Sequence, residues 1–420
     1  MSRVKKLVNN NYVFSVFTKI FLILIGVVIS AIQVRFLGKE LNGKLSYINS
    51  SCTILNTLLV FGVHQAYTYY RKKYGATFKE YYLGSIGIIF AVYLMVSILI
   101  NTVMSLSVED SIIVAILPLF FLTKIIRYVT LVEHPKEKNK VEIMVNIVQV
   151  VFICGLFIFG HVSYFWLAIL AIFHELLCCI FYICKLRVKI KVCKDSLTLL
   201  FKLLTFGFFP MLGLLLNDIN YKVDVLMLKS STTYASVSIY TVGIGLAEKC
   251  WAIPDAIRDI LLSKLACGEK KNEVAKIIRF SNTITIMIQV ALVIVGKFVI
   301  SILYGAEYEE SYYVLLIAML GTYGMIYTKM INVYNLVEGR KVINTIFMFL
   351  VAMSNIIINT FLIPIWGIYG AGIASVISYN LCGLLFVIDF KKRTGVQVKD
   401  MMIITKEDVM DVKGMLGHSK

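Results

Sequence analysis

Eight basic residues stand where a bilayer would leave little water to solvate them. Lys19, Lys124, Arg127, Lys222, Lys249, Arg258, Lys297 and Lys329 interrupt stretches otherwise long and apolar enough to be helical crossings. A charge there is costly, and by default it lines a pathway, pairs with an opposite charge, or reaches an interface on a long side chain. Lys19, Arg127, Arg258 and Lys329 lie near the inner ends of their stretches and Lys297 near an outer end, so snorkelling and cavity lining are both open to them.

Two clusters resist the snorkelling account. Residues 217–224 read Asn-Asp-Ile-Asn-Tyr-Lys-Val-Asp. On a helix Asn217, Tyr221 and Asp224 share one face, and Asp218 precedes Lys222 by four residues, the favourable order for an ion pair. So dense a polar wedge faces a cavity or another helix, not lipid. Glu248 and Lys249 lie midway along the next stretch, with Pro254, Asp255, Arg258 and Asp259 below. Adjacent helical residues point about 100° apart, so Glu248 need not neutralise Lys249. Pro254 should kink the helix there. Lys249 is the best single candidate for contacting an anionic substrate, and a salt bridge to Asp218 or Asp224 is its competing role. His174-Glu175 is a third place where a proton could be held. His64 with Gln65, and the amides Asn56, Asn146, Gln149, Asn355, Asn359 and Asn380, suit hydrogen bonding between helices.

The elements that position these groups follow from composition. Hydrophobic residues make up 59% of the chain and charged residues 16%, with mean hydropathy +0.82. Helical crossings of roughly 20 residues are expected near 14–35, 46–70, 82–105, 111–132, 141–160, 163–184, 205–228, 235–262, 281–304, 313–336, 342–364 and 369–390. Thirty of the 42 Lys and Arg fall in seven alternate gaps and four, Arg35, Lys39, Lys44 and Lys229, in the other six. Cytoplasmic loops are the basic ones. The reading is an all-α integral membrane protein with twelve transmembrane helices, both termini cytoplasmic. The most basic inside loop follows the sixth span, which divides the chain into six-helix bundles at 1–190 and 191–390 and a cytoplasmic tail at 391–420. Halves that start inside with an even number of spans are parallel-related repeats, which usually enclose a central cavity. Within the tail, 402–412 reads equally as a short interfacial helix or as disorder.

Several function classes fall away. The net charge of +17 straddles apolar spans and suits anionic headgroups, so no nucleic acid is expected as partner. No phosphate-binding loop of the ATPase type and no long polar domain is present. The nine cysteines have no zinc-like spacing and suit helix packing, so neither metal nor cofactor is expected. The first span is too long for a signal-peptide core and reads as a retained anchor.

Residues 35–47, Arg-Phe-Leu-Gly-Lys-Glu-Leu-Asn-Gly-Lys-Leu-Ser-Tyr, resemble the turn after span 1 in polysaccharide flippases, the oligosaccharide-lipid branch of the superfamily that also holds multidrug/toxin extruders. Gly62, Asp224-Val-Leu-Met-Leu, Ser238-Ile-Tyr240, Pro254, and Pro364 with Gly367, Gly370, Ala371 and Gly372 fit the same pattern, with Ser238 in place of the family's glycine. The resemblance implies a transporter, not an enzyme, in the inner (plasma) membrane. Its substrate would be a polyprenyl-pyrophosphate-linked oligosaccharide, turned from inner to outer leaflet for O-antigen, capsule or other exopolysaccharide synthesis. Membrane lipids, a polysaccharide polymerase and glycosyltransferases would be its partners. Lys249, Lys222 and Arg35 would line the cavity from midplane outward, Lys19, Arg127 and Arg258 the inner part, with Asp218, Asp224 and Glu248 among them. Glu175 and His174 would be the coupling groups. A cation-coupled drug extruder is the main alternative, and should favour carboxylates over amines. A peptidoglycan-precursor flippase would carry two further spans, and a membrane glycosyltransferase a large outside loop.

Overall fold

A computed structural model describes residues 2–186, 191, 196–251, 254–255, 257–258, 261, 265, 271–402, 404–405 and 408, without the side chains of 2–20, 196–197, 271–273 and 341. Among the described residues there are helices and no strands. They are α1 (Ser2–Val60), α2 (Val63–Tyr74), α3 (Phe78–Val103), α4 (Val108–Glu133), α5 (Pro135–Phe159), α6 (Tyr164–Leu186), α7 (Ser196–Ser231), α8 (Tyr234–Lys249), α9 (Lys271–Tyr304), α10 (Glu310–Met319), α11 (Thr322–Val337) and α12 (Lys341–Thr394). Among the described residues, eight helices are long and apolar enough to cross a membrane, and α10 with α11, bent by 45°, makes a ninth. Their outer faces carry bare apolar side chains, such as Phe159 at 84% and Ile294 at 75% exposure. Such a surface requires lipid. The chain is a multi-pass membrane protein.

Two expected loops are absent as loops. The turn expected between the first two spans is a single break in α1 at Gly38 (φ 69°, ψ 178°), and the glycine-rich turn before the last span is a break in α12 at Gly367 (φ 52°, ψ −125°). Glycine adopts these conformations without a Cβ penalty, so one residue redirects the chain and helix resumes on both sides. Conversely, the span expected over 235–262 is interrupted: α8 ends at Lys249, a turn follows at Cys250–Trp251, and Pro254 and Asp255 are helical again.

The chain forms two compact units, residues 24–238, and residues 239–420 together with 1–23. In the 24–238 unit the core is two apolar clusters. One gathers Phe36, Leu37, Leu45, Ile48, Ile113 and Leu167; the other gathers Val63, Tyr67, Tyr82, Phe121, Val129 and Tyr182. Along three helices the changeover between clusters falls at polar residues: Asn56-Thr57 in α1, Gln149 in α5 and His174-Glu175 in α6. A polar layer is thus sandwiched between two dry ones.

Residues 35–47 and 226–238 pack on each other in this unit. Asn42 donates to Ser238 Oγ at 2.8 Å. Lys44 pairs with Glu109 at 2.8 Å, donates to Tyr164 Oη at 2.8 Å and lies 5.1 Å from the centre of the Tyr234 ring. Between them, a Cβ on Gly43 would stand 1.8 Å from the Tyr234 carbonyl oxygen.

In the other unit, Tyr308, Tyr379, Phe386 and Phe390 are fully buried. Asn355 donates to Ser378 across the Gly367 break at 3.0 Å. The tail returns after Gly395 to α9. Arg279 binds Asp408 through two bonds of 2.7 Å, Asn282 donates to the Met401 carbonyl, and Met401 is buried. The Arg279 guanidinium holds the Asp408 carboxyl well below the usual carboxylate range. Of the 402–412 stretch, only Met402, Ile404, Thr405 and Asp408 are among the described residues.

The α1–α2 break packs backbone to backbone on α7. A Cβ on Gly207 would lie 2.2 Å from the Phe61 carbonyl oxygen, whereas one on Gly213 would meet nothing within 4 Å. Gly207→Ala should therefore lower unfolding stability by about 1–3 kcal/mol and Gly213→Ala should not, measured by thermal unfolding in detergent. Equal melting of the two variants would contradict the packing.

Candidate functional site

The polar layer opens into a cavity of about 400 Å³ in the 24–238 unit, walled by α1, α2, α4, α5 and α6. Three cations reach it: Lys124 and Arg127 from α4 and Lys138 from the first turn of α5. Pro135 starts α5 there, a first-turn position where its missing N–H costs nothing. That start lies before the expected 141, and so brings Lys138 onto the helix beside Glu142.

Each cation is held by polar partners. Lys124 Nζ donates to Thr57 Oγ1 at 2.8 Å, and Thr57 in turn donates to Asp218 Oδ2 at 2.5 Å. One hydroxyl therefore bridges a cation on α4 and an anion on α7. Arg127 Nε lies 3.3 Å from Glu142 Oε1 and its Nη2 3.8 Å from Glu175 Oε1. The same Nη2 donates to Cys178 Sγ at 3.3 Å and lies 3.5 Å from His174 Nε2. His174 Nδ1 is 2.9 Å from Gln149 Oε1. The consistent tautomer is neutral, with Nδ1–H donating to Gln149 and Nε2 accepting from Arg127. Glu142 also accepts from Tyr182 Oη at 2.6 Å and lies 3.7 Å from Lys138.

The wall also offers uncommitted atoms. Asn56 donates to the Phe120 carbonyl, but its Oδ1 and His64 Nδ1 are buried with no hydrogen-bond partner among the described residues. The His64 ring stands edge-on to Tyr128 at 5.1 Å. Phosphate oxygens could exchange for carboxylates at the cations, and neighbouring hydroxyls could bond Asn56 and His64.

The sequence-derived candidates distribute as follows. Arg127, His174 and Glu175 meet at the cavity, and Asp218 reaches it through Thr57. Lys222, one turn beyond Asp218, is half-buried, and Asp224 is buried, accepting from the Val225 N–H at 2.8 Å. Arg35 is exposed three residues before the Gly38 break. In the other unit Lys249 is exposed as the last residue of α8 and Glu248 is half-buried. Arg258 lies 3.4 Å from Asp255, which also binds Lys329 at 2.8 Å. Lys329 in turn lies 4.5 Å from the centre of the Trp251 ring. The Lys19 side chain is outside the described residues. Sequence reasoning noted Lys124 as an intramembrane charge but gave it no role, and missed Thr57, Lys138 and Glu142. For Lys124 the signal was present: it is three residues from Arg127 and so on a neighbouring face of one helix.

The sequence profile of the polysaccharide biosynthesis protein family matches residues 9–248, and the chain belongs to that family. Among curated protein sequences none matches. The fold is similar to that of the lipid II flippase MurJ in an inward closed conformation, with TM-score 0.76 and 15% identity over 96% of this chain and 92% of that one. It is also similar to an inward-facing multidrug resistance MATE family transporter of the MOP superfamily (TM-score 0.65, 11% identity, 90% and 98% covered). A third likeness is to a MOP superfamily transporter from Pyrococcus furiosus (0.59, 12%, 90% and 93%).

The ion pairs of this layer bear on stability as well as on any ligand. Removing one partner of a fully buried pair costs about 3–5 kcal/mol. The Arg127 side chain is 34% exposed, so Glu142→Ala should cost less, about 2 kcal/mol. The double variant Arg127→Met/Glu142→Met should recover most of that loss in denaturant unfolding. An undiminished midpoint in Glu142→Ala would show that the pair does not hold the helices together.

Proposed function

We propose that this protein is a flippase that turns a polyprenyl-pyrophosphate-linked oligosaccharide from the inner to the outer leaflet of the cytoplasmic membrane, for O-antigen, capsule or other exopolysaccharide synthesis. The observation that carries the reading is the cavity with Lys124, Arg127 and Lys138 on its wall. A pyrophosphate needs cations when it leaves water, while its polyprenyl tail can stay in hydrocarbon. Glu175 lies 3.8 Å from Arg127, the loosest of the carboxylate contacts and the one a phosphate oxygen would replace first. The sugar next to the pyrophosphate would use Asn56 Oδ1 and His64 Nδ1. Membership of a polysaccharide biosynthesis family and the likeness to a flippase fold support the same direction.

In this reading α1 and α12 each cross twice, reversing at Gly38 and Gly367, with α2 completing the second crossing of α1; α10 with α11 makes one crossing, the stretch that α8 begins makes one, and the total is twelve with both termini cytoplasmic. Six crossings fall in each half, as the basic loop after α6 suggests. Lys222, Lys249, Arg35, Lys19 and Arg258, with Asp218, Asp224 and Glu248, remain the further groups along the path. Glu175 with His174 is the coupling site. Glycosyltransferases would supply the substrate and a polymerase consume it. The second reading, a cation-coupled multidrug extruder, draws on the MATE likeness and on the carboxylates Glu142, Glu175 and Asp218 beside the same cavity.

Complementation separates the two. Lys124→Ala, Lys222→Ala and Lys249→Ala should each cut surface polysaccharide about tenfold or more at unchanged protein level, with no change in resistance to cationic drugs. Normal polysaccharide in all three, or a selective loss of drug resistance, would sink the flippase reading. In the same cells Glu175→Gln should make transport indifferent to collapse of the proton gradient; a wild-type response would remove Glu175 from coupling.

A further inference from the structure

A second, larger hollow lies away from the cationic cavity, in the 24–238 unit where the end of α2 and the start of α3 meet α7. It encloses about 630 Å³ and is lined by Tyr74, Thr77, Phe78, Tyr81, Thr198, Leu199 and Lys202. Two features distinguish it from an ordinary apolar cleft. Each of its polar side chains can donate and none is acidic: three phenol or threonine hydroxyls from the α2–α3 side, one threonine from α7, and the Lys202 ammonium. Its rim is basic. Lys202 is on its wall and Lys73 Nζ lies 5.6 Å from the centre of the lining Tyr74 ring; neither has an acidic partner among the described residues, and the nearby acid Glu80 is taken by Lys191 at 2.6 Å.

Below Lys202 the surface turns apolar on the same side of α7. Phe206 and Phe209 stand four and seven residues further on, hence on the face of Lys202, and are 36% and 71% exposed. Phe206 stacks on Tyr69 at 5.0 Å. The aromatic faces around the hollow are largely spent on one another: Tyr70 on Tyr74 at 5.8 Å, Tyr74 on Phe78 at 5.7 Å. That leaves hydroxyls and cations, not ring faces, for a ligand, which disfavours sugar stacking and favours phosphate.

We propose that this groove is a binding site for one anionic glycerophospholipid of the cytoplasmic leaflet, its phosphate at Lys202 with the Thr77, Thr198 and Tyr74 hydroxyls, and its chains along Phe206 and Phe209. The assignment to that leaflet rests on the orientation in the reading above, with the gaps at 71–79 and 185–202 in the cytoplasm. The site is separate from the substrate cavity, and its occupant anchors the α2–α3 turn to α7 at the membrane surface.

The test is native mass spectrometry of the delipidated full-length protein in detergent, titrated with phosphatidylglycerol, phosphatidylcholine or a polyprenyl phosphate, with and without excess glycerol phosphate. Phosphatidylglycerol should bind one molecule in preference to phosphatidylcholine. Lys202→Gln should weaken it about fivefold, the worth of one basic residue near anionic lipid, while Lys140→Gln, in the second turn of α5, should not. Equal binding of the two phospholipids, no effect of Lys202→Gln, displacement by glycerol phosphate, or preference for the polyprenyl phosphate would each overturn the proposal. The readout is binding alone, so its failure leaves the transport reading intact, and loss of transport in the cavity variants leaves this site intact.

Discussion

Hydrocarbon offers a backbone amide nothing to bond to, and every other feature of this chain is arranged around that constraint. A loop inside the bilayer is forbidden, so direction changes are confined to very few residues. Gly38 and Gly367 each redirect a helix alone, and Phe61-Gly62 does so with its positive-φ pair covered by Gly207. The absence of side chains at these points has a second use. It lets backbones touch, as at Gly43 against Tyr234, and so draws the helices close enough to bury the polar layer between two apolar clusters.

Charge in that layer is tolerated because it is compensated locally. Lys124, Arg127 and Lys138 are matched by Asp218, Glu142 and Glu175 drawn from three helices. Such an arrangement leaves no cation and no carboxylate of the layer to be buried alone. A cavity of bare cations would resist burial, and one of bare carboxylates would repel an anionic headgroup.

Much of this was legible in the sequence, for reasons that can be named. Apolar stretches of about 20 residues announce helices whatever their neighbours, and α3, α4 and α6 fall where expected, while α9 ends where expected but starts ten residues earlier. The 35–47 segment was recognisable because its glycines answer to backbone geometry, and Gly38 and Gly43 do sit at a break and a close contact. Helix ends were less legible. Lys138 lies on the first turn of α5, polar enough to read as loop, and only tertiary packing makes it helix; Glu142 fell inside the expected span but drew no notice there. Thr57 could not be found at all, since a threonine in a span gives no sign of which side chains will flank it. His174, Glu175 and Arg127 were individually conspicuous as charges in apolar surroundings, but their convergence depends on how α4 and α6 are rotated, which a single sequence does not encode visibly.

Between Asn42 and Thr57 α1 has no break. Its bond to Ser238 at one end and its bridge between Lys124 and Asp218 at the other are therefore fixed to a single rod about 22 Å long. Such a rod acts as a crank: a twist that frees Asn42 also swings the Thr57 hydroxyl away from the two charges it joins. The Asn42 latch and the Thr57 charge bridge would then open or close as one motion, with no chain of intermediaries between them.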